Sequence, residues 1–126
     1  RENLAVCYTL AIAAARAYDL LVFDGVYNDI ANAEGFVAES KQAKAFGFDG
    51  KTLIHPTQVE PCNTIFAPPA EAVQQSRDVI AAFADPANAG KGVLKVNGKM
   101  TELLHLAQAR RMVAVAEAIA QREAVQ

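Results

Sequence analysis

The sequence contains no tryptophan, only two cysteines and two histidines among 126 residues, and no lysine- or arginine-rich run. Each shortage closes a class of function. Cys7 and Cys62 stand far apart and lack metal-ligand spacing, which excludes a disulfide scaffold or zinc module and favours a reduced, cytoplasmic setting. Twelve basic residues against 14 acidic ones give a net charge of -2, so there is no electrostatic footprint for nucleic acid or an anionic membrane. No apolar stretch approaches the ~18 residues that a membrane span requires. What is abundant is apolar side chain: 52% hydrophobic against 21% charged residues suffices for a buried core and argues against disorder. The sequence opens at Arg1 on what reads as mid-helix, with no signal segment, and is therefore expected to be a fragment or to lack its beginning.

The alanine-rich stretch Glu2 to Tyr18 repeats Leu4, Tyr8, Ala11, Ala15 and Tyr18 at helical steps and predicts a helix with that face buried. Leu20-Leu21-Val22-Phe23, closed by Asp24-Gly25, predicts a strand apolar on both faces, as in a parallel sheet. Asn32 to Phe46 predicts an amphipathic helix, with Phe36, Val37, Ala43 and Phe46 inward and Glu39, Lys41, Gln42 and Lys44 largely outward. Gly47 suits a left-handed cap, Asp49-Gly50 a turn, and Thr52-Leu53-Ile54 a second strand ended by His55-Pro56.

Beyond Pro56 the pattern turns helical. Thr57-Gln58-Val59-Glu60 has capping-box spacing for a short helix to about Phe66, and Pro68-Pro69 precedes a second helix, Ala70 to Phe83, stopped by Asp85-Pro86. Val93 to Val96, Asn97-Gly98 and Lys99-Met100 predict a hairpin. A last helix is expected from about Thr101 to Arg122, with Leu103, Leu106, Met112, Val113 and Ile119 as buried candidates.

Two parallel strands cannot satisfy their own backbone edges or cover two apolar faces. The opening helix also lacks a strand before it, so it reads as the crossover of a preceding unit. The missing strands are expected either to have been cut away or to come from another chain.

Three groups of residues could carry chemistry. Asp24 and Asp29 flank the end of a predicted parallel strand, where α/β folds place ligand-binding groups, and equally suit turn and helix caps. His55 ends the second strand and could act as acid, base or ligand, although no second histidine or cysteine stands at metal spacing; a structural role is the alternative. Glu102 opens the last helix, where the helix dipole favours an acidic residue by about 0.3–1 kcal/mol without any catalytic duty. His105, one turn on, can pair with it. Gly90-Lys91-Gly92 lacks the spacing of a phosphate-binding P-loop, and no serine nucleophile elbow is present.

Asp24-Gly25-Val26-Tyr27-Asn28-Asp29, Glu34-Gly35-Phe36, the run from Gly47 through Gly50-Lys51-Thr52-Leu53-Ile54-His55-Pro56 to Val59, Phe66-Ala67-Pro68, and Gly90-Lys91-Gly92 through Gly98-Lys99-Met100-Thr101-Glu102 together resemble the citrate lyase β-subunit-like, or HpcH/HpaI aldolase, family. Within it the likeness is to the malyl-CoA and citramalyl-CoA lyase type, of which the sequence resembles the C-terminal portion. The resemblance implies the end of a TIM (β/α)8 barrel over residues 1–56 and a mainly helical extension with a β-hairpin over 57–126 that closes the active site. It implies a Mg²⁺-dependent carbon-carbon lyase that cleaves a malyl-CoA-like β-hydroxyacyl thioester into acetyl- or propionyl-CoA and a 2-oxo acid. The metal ligands are expected upstream of residue 1, so none is named here.

The resemblance further places Ile54, His55 and Pro56 along the acyl-CoA substrate, with Asp24 and Asp29 on the same face. Glu102 matches the family's catalytic acid, filled by Asp in some members, which reaches a neighbouring subunit's site in a homo-oligomer, a trimer or hexamer. Two alternatives stay open: a citrate lyase β-subunit acting on an acyl-carrier-protein thioester, and a catalytically inactive fragment or binding module. For a piece standing alone, exposed apolar faces are expected.

Overall fold

A computed structural model describes residues 1–125 and divides the chain into two compact units, Arg1–Ala67 and Pro68 onward. The two units part between Ala67 and Pro68. Residues 57–67 group with the first unit because the helix they form closes on its other elements, and Lys44 Nζ donates to the carbonyls of Ile65 and Ala67 at its end.

In the first unit a 3₁₀ turn, Glu2–Leu4, leads into α1, Ala5–Ala17. β1, Phe23–Asp24, pairs in parallel with β2, Gly50–Lys51, and α2, Ala33–Phe46, crosses between them. Asn32 Oδ1 accepts from Gly35 N at 2.8 Å and caps α2, while Gly47, at φ 104°, ends it in the left-handed region that glycine adopts without strain. A second 3₁₀ turn, Pro56–Gln58, precedes α3, Val59–Phe66. The core joins Ile12, Ala43 and Phe48, with Tyr8 edge-on to Phe46 and Phe48 at 5.5 and 5.7 Å between ring centres.

Several local expectations are corrected. The inward face of α1 is Ala5, Tyr8, Ile12 and Ala15; Leu4, Ala11 and Tyr18 are exposed. The strands are shorter and shifted. Leu20 and Leu21 are 57% and 63% exposed, and Thr52 to Ile54 forms no strand. The ladder is extended instead by Asp49 N donating to Val22 O at 2.9 Å and Thr52 N to Asp24 O at 3.0 Å. No Thr57–Glu60 capping box forms: the ring of His55 caps the 3₁₀ turn by accepting from Thr57 N at 3.3 Å. Glu39 and Gln42, expected outward, face a buried charge cluster.

The second unit consists of α4, Ala70–Ala84, a 3₁₀ turn at Pro86–Asn88, the antiparallel strands β3, Val93–Val96, and β4, Lys99–Glu102, and α5, Leu103–Glu123. Asn97 and Gly98, at φ 48° and 79°, make the two-residue hairpin turn. Asp85 Oδ1 accepts from Ala87 N at 2.9 Å, so the residue that stops α4 also starts the next turn. Val79, Val96, Leu106 and Ala109 form the core, with Ile80, Phe83 and Leu94 against it. Leu103, expected inside, is exposed. Among the described residues no helix is long and apolar enough to cross a membrane.

Candidate functional site

Because β1 and β2 run in parallel, their carboxyl ends lie at one edge, and the loop carrying Asp29 and the segment carrying Ile54, His55 and Pro56 leave from that edge. The polypeptide is pinned hard beneath it. Asp24 O accepts from both Thr52 N and Thr52 Oγ1, the latter at 2.8 Å, and its carboxylate is held by Arg1, Lys51 and Gly25 N, the last donating to Oδ1 at 2.9 Å. Arg1 reaches Oδ1 and Oδ2 with two guanidinium nitrogens at 2.8 Å each, and Lys51 Nζ reaches Oδ2 at 2.8 Å. Lys51 also bonds Glu39 Oε1 at 2.7 Å, and Arg1 lies over the Tyr8 ring at 5.3 Å.

Burial alone pushes the Asp24 carboxyl up, but the hydrogen bonds from Arg1 and Lys51 outweigh it and hold the group below the usual carboxylate range. Asp24 is thus a buried anion spent on two cations. That arrangement makes it a brace for the strand pair.

Asp29 is exposed, and its carboxylate has no hydrogen-bond or ion-pair partner among the described residues. His55 is half-buried. Its Nδ1 accepts from Thr57 N and lies 2.9 Å from Thr57 Oγ1, so the neutral ring carries its proton on Nε2. Ile54 is 47% exposed, and Pro56 is exposed.

One residue at this edge gave no warning in the sequence. Gln58 is only 4% exposed; its Oε1 accepts from Ile54 N and its Nε2 donates to Tyr27 O, both at 3.1 Å. It joins the two loops directly. Tyr27 in turn stands edge-on to Phe36 at 6.0 Å, and its hydroxyl crowds Gly35, where any Cβ would clash with it and with Asn32. A helical-looking Thr-Gln-Val-Glu stretch gives no sign of such a contact.

Glu102, in the second unit, is exposed and extended, the last residue of β4 rather than part of a first helical turn. Its contact with His105 is a capping box: Glu102 N donates to His105 Nδ1 at 2.9 Å, and the Glu102 side chain accepts from the His105 backbone N–H.

Among the described residues no group of three or more His, Cys, Asp or Glu side chains is placed to hold a metal ion. Asp24, the one buried carboxylate at the strand edge, is already neutralised by Arg1 and Lys51. The side chains present here therefore do not fit a Mg²⁺ site.

Residues 3–56 match the HpcH/HpaI aldolase/citrate lyase family. The chain belongs to this family. The (3S)-malyl-CoA thioesterase of Cereibacter sphaeroides is 47% identical over 111 residues, 88% of this chain and 39% of that protein. The citrate lyase subunit beta of Leuconostoc mesenteroides is 33% identical over 93% of this chain and 39% of its own length. Among solved structures, protein CitE from Mycobacterium tuberculosis, in complex with magnesium, acetoacetate and coenzyme A, is similar with a TM-score of 0.67 and 30% identity, over 87% of this chain and 40% of that one. The chain thus spans about two fifths of the length of these family members. Asp24, Asp29 and Ile54 to Pro56 lie inside the matched family segment, and Gln58 and Glu102 lie beyond it.

Proposed function

We propose that the whole protein acts on a β-hydroxyacyl-CoA thioester of the malyl-CoA kind, cleaving it by retro-Claisen chemistry into acetyl- or propionyl-CoA and a 2-oxo acid. The observation that carries the substrate class is the 47% identity to malyl-CoA thioesterases, over a span that necessarily includes Asp24, Ile54, Gln58 and Glu102. In the cleavage the bond between C2 and C3 breaks, its electron pair stays on C2 as the thioester enolate, and the 3-hydroxyl gives its proton to solvent water as its oxygen becomes the carbonyl of the oxo acid. Glu102 is the proposed acid that returns a proton to C2, and as a carboxylate it would remove that proton in the reverse direction. Its exposure at the end of β4 leaves the carboxylate accessible to a site in a neighbouring subunit of a trimer or hexamer.

Asp29 and the Ile54–His55–Pro56 segment are proposed to line the substrate, and the proposed TIM barrel and Mg²⁺ requirement belong to the whole protein. Exposed Leu20, Leu21 and Phe23 suit a strand pair that further barrel strands would cover.

A second reading is hydrolysis of the same thioester to free CoA and a hydroxy acid, favoured by the name of the thioesterase relatives. Likeness to citrate lyase subunit beta supports the further alternative of an acyl-carrier-protein thioester. Product analysis with malyl-CoA separates them: an oxo acid with acetyl-CoA marks the lyase, free CoA without an oxo acid marks the thioesterase, and reaction only on the carrier-protein thioester marks the third.

A further inference from the structure

We propose that Gln58 is a positioning residue, which fixes the Tyr27 loop against the Ile54 segment and so sets where the Ile54–His55–Pro56 backbone lies along the substrate; this rests on the function proposed above. The carboxamide is buried, and both its ends are used. Ile54 N–H can only donate and Tyr27 C=O can only accept, so the oxygen and nitrogen of Gln58 have one consistent orientation. The bonds span 4 and 31 positions of sequence, and the second crosses from one strand-end loop to the other. Gln58 N also donates to His55 O at 3.1 Å, so the same residue fixes the turn that carries His55 through its main chain.

The chemistry makes the role specific to glutamine. Glutamate keeps the acceptor for Ile54 N but sets a carboxylate oxygen against the Tyr27 carbonyl. Methionine fills similar space and supplies neither group. Because both polar ends of Gln58 are spent within the protein, it meets no substrate itself and acts only through the two loops. Losing one such buried hydrogen bond amounts to about 1.4 kcal/mol, a tenfold change in an equilibrium constant.

The test uses the full-length protein with Gln58→Met and Gln58→Glu, measuring steady-state turnover of malyl-CoA beside amide hydrogen exchange at Ile54. Gln58→Met is expected to raise KM about tenfold with kcat changed less than about threefold, and to speed exchange at Ile54. Gln58→Glu is expected to keep Ile54 protected yet still raise KM, because the tie to Tyr27 is broken; this isosteric variant carries the test if the methionine variant does not fold. Unchanged KM in both variants of an active protein, or unchanged Ile54 exchange in Gln58→Met, overturns the proposal. A wild-type protein inert toward every CoA thioester overturns the proposed function first, and the substrate-positioning role falls with it.

Discussion

Lys51 Nζ lies 2.8 Å from Asp24 Oδ2, with 0% of the lysine side chain and 3% of the aspartate side chain exposed. An ion pair so withdrawn from water survives only because each charge has further partners, Glu39 for Lys51 and Arg1 for Asp24. It bridges the two strands at their paired register, Asp24 opposite Lys51.

Removing one partner should therefore cost far more than removing both. Lys51→Met is expected to destabilise the protein by about 3 kcal/mol, at the low end for a broken buried pair because Arg1 still holds Asp24. Combining it with Asp24→Leu should restore part of that loss. Urea midpoints at neutral pH measure both, and a single variant no less stable than wild type contradicts the pairing.

Acid should weaken the same brace. The Asp24 carboxyl ionises below its ordinary value of about 3.9 in the folded protein, so its stabilisation is complete above that value and is lost as pH falls through the lower folded one. Urea midpoints from pH 7 to 3 should be steady above about pH 5 and decline below about pH 4. Asp24→Asn should flatten the part of the decline that this group causes. An equal decline in the variant would assign acid sensitivity elsewhere.

Ser40 offers the opposite case. Its hydroxyl is wholly buried in α2 and has no hydrogen-bond partner among the described residues. Alanine has higher helix propensity and leaves no orphaned polar group, so Ser40→Ala should be neutral or stabilising by up to about 1 kcal/mol. Thermal unfolding checks this; a clear loss of stability would mean that the hydroxyl has a partner.

These contrasts follow what is legible in the residues. Helix α2 is readable because its signals are local: Asn32 caps it, Gly47 ends it, and Ala43 and Phe46 fall on one side. The hairpin is readable for the same reason, since Asn97-Gly98 suits the two positive φ angles its turn requires. The strands are not. Gly50-Lys51 has no apolar pattern to announce β2, and the apolar run before Asp24 places Leu20 and Leu21 in the open. At the candidate site, Ile54 to Pro56 and the Asp29 loop can be located from strand ends. The fate of Asp24 and the burial of Gln58 cannot, because both depend on partners more than twenty residues away.

Glu102→Gln separates chemistry from capping. The carboxamide is nearly isosteric and its oxygen can still accept from the His105 backbone N–H, while the bond from Glu102 N to His105 Nδ1 is untouched, so stability should change by less than about 0.5 kcal/mol. Turnover of the full-length protein should fall by at least about 10² if Glu102 transfers the proton, with metal affinity unaltered. Thermal unfolding and steady-state kinetics on the same sample decide it, and wild-type turnover would remove Glu102 from the mechanism.

The most direct measurement is a product balance: full-length protein incubated with malyl-CoA, with glyoxylate, acetyl-CoA, malate and free CoA quantified together. Carbon-carbon cleavage predicts glyoxylate and acetyl-CoA in equal amounts, before any free CoA appears. Malate and free CoA in equal amounts, with no glyoxylate, would contradict the lyase reading and establish hydrolysis of the same thioester.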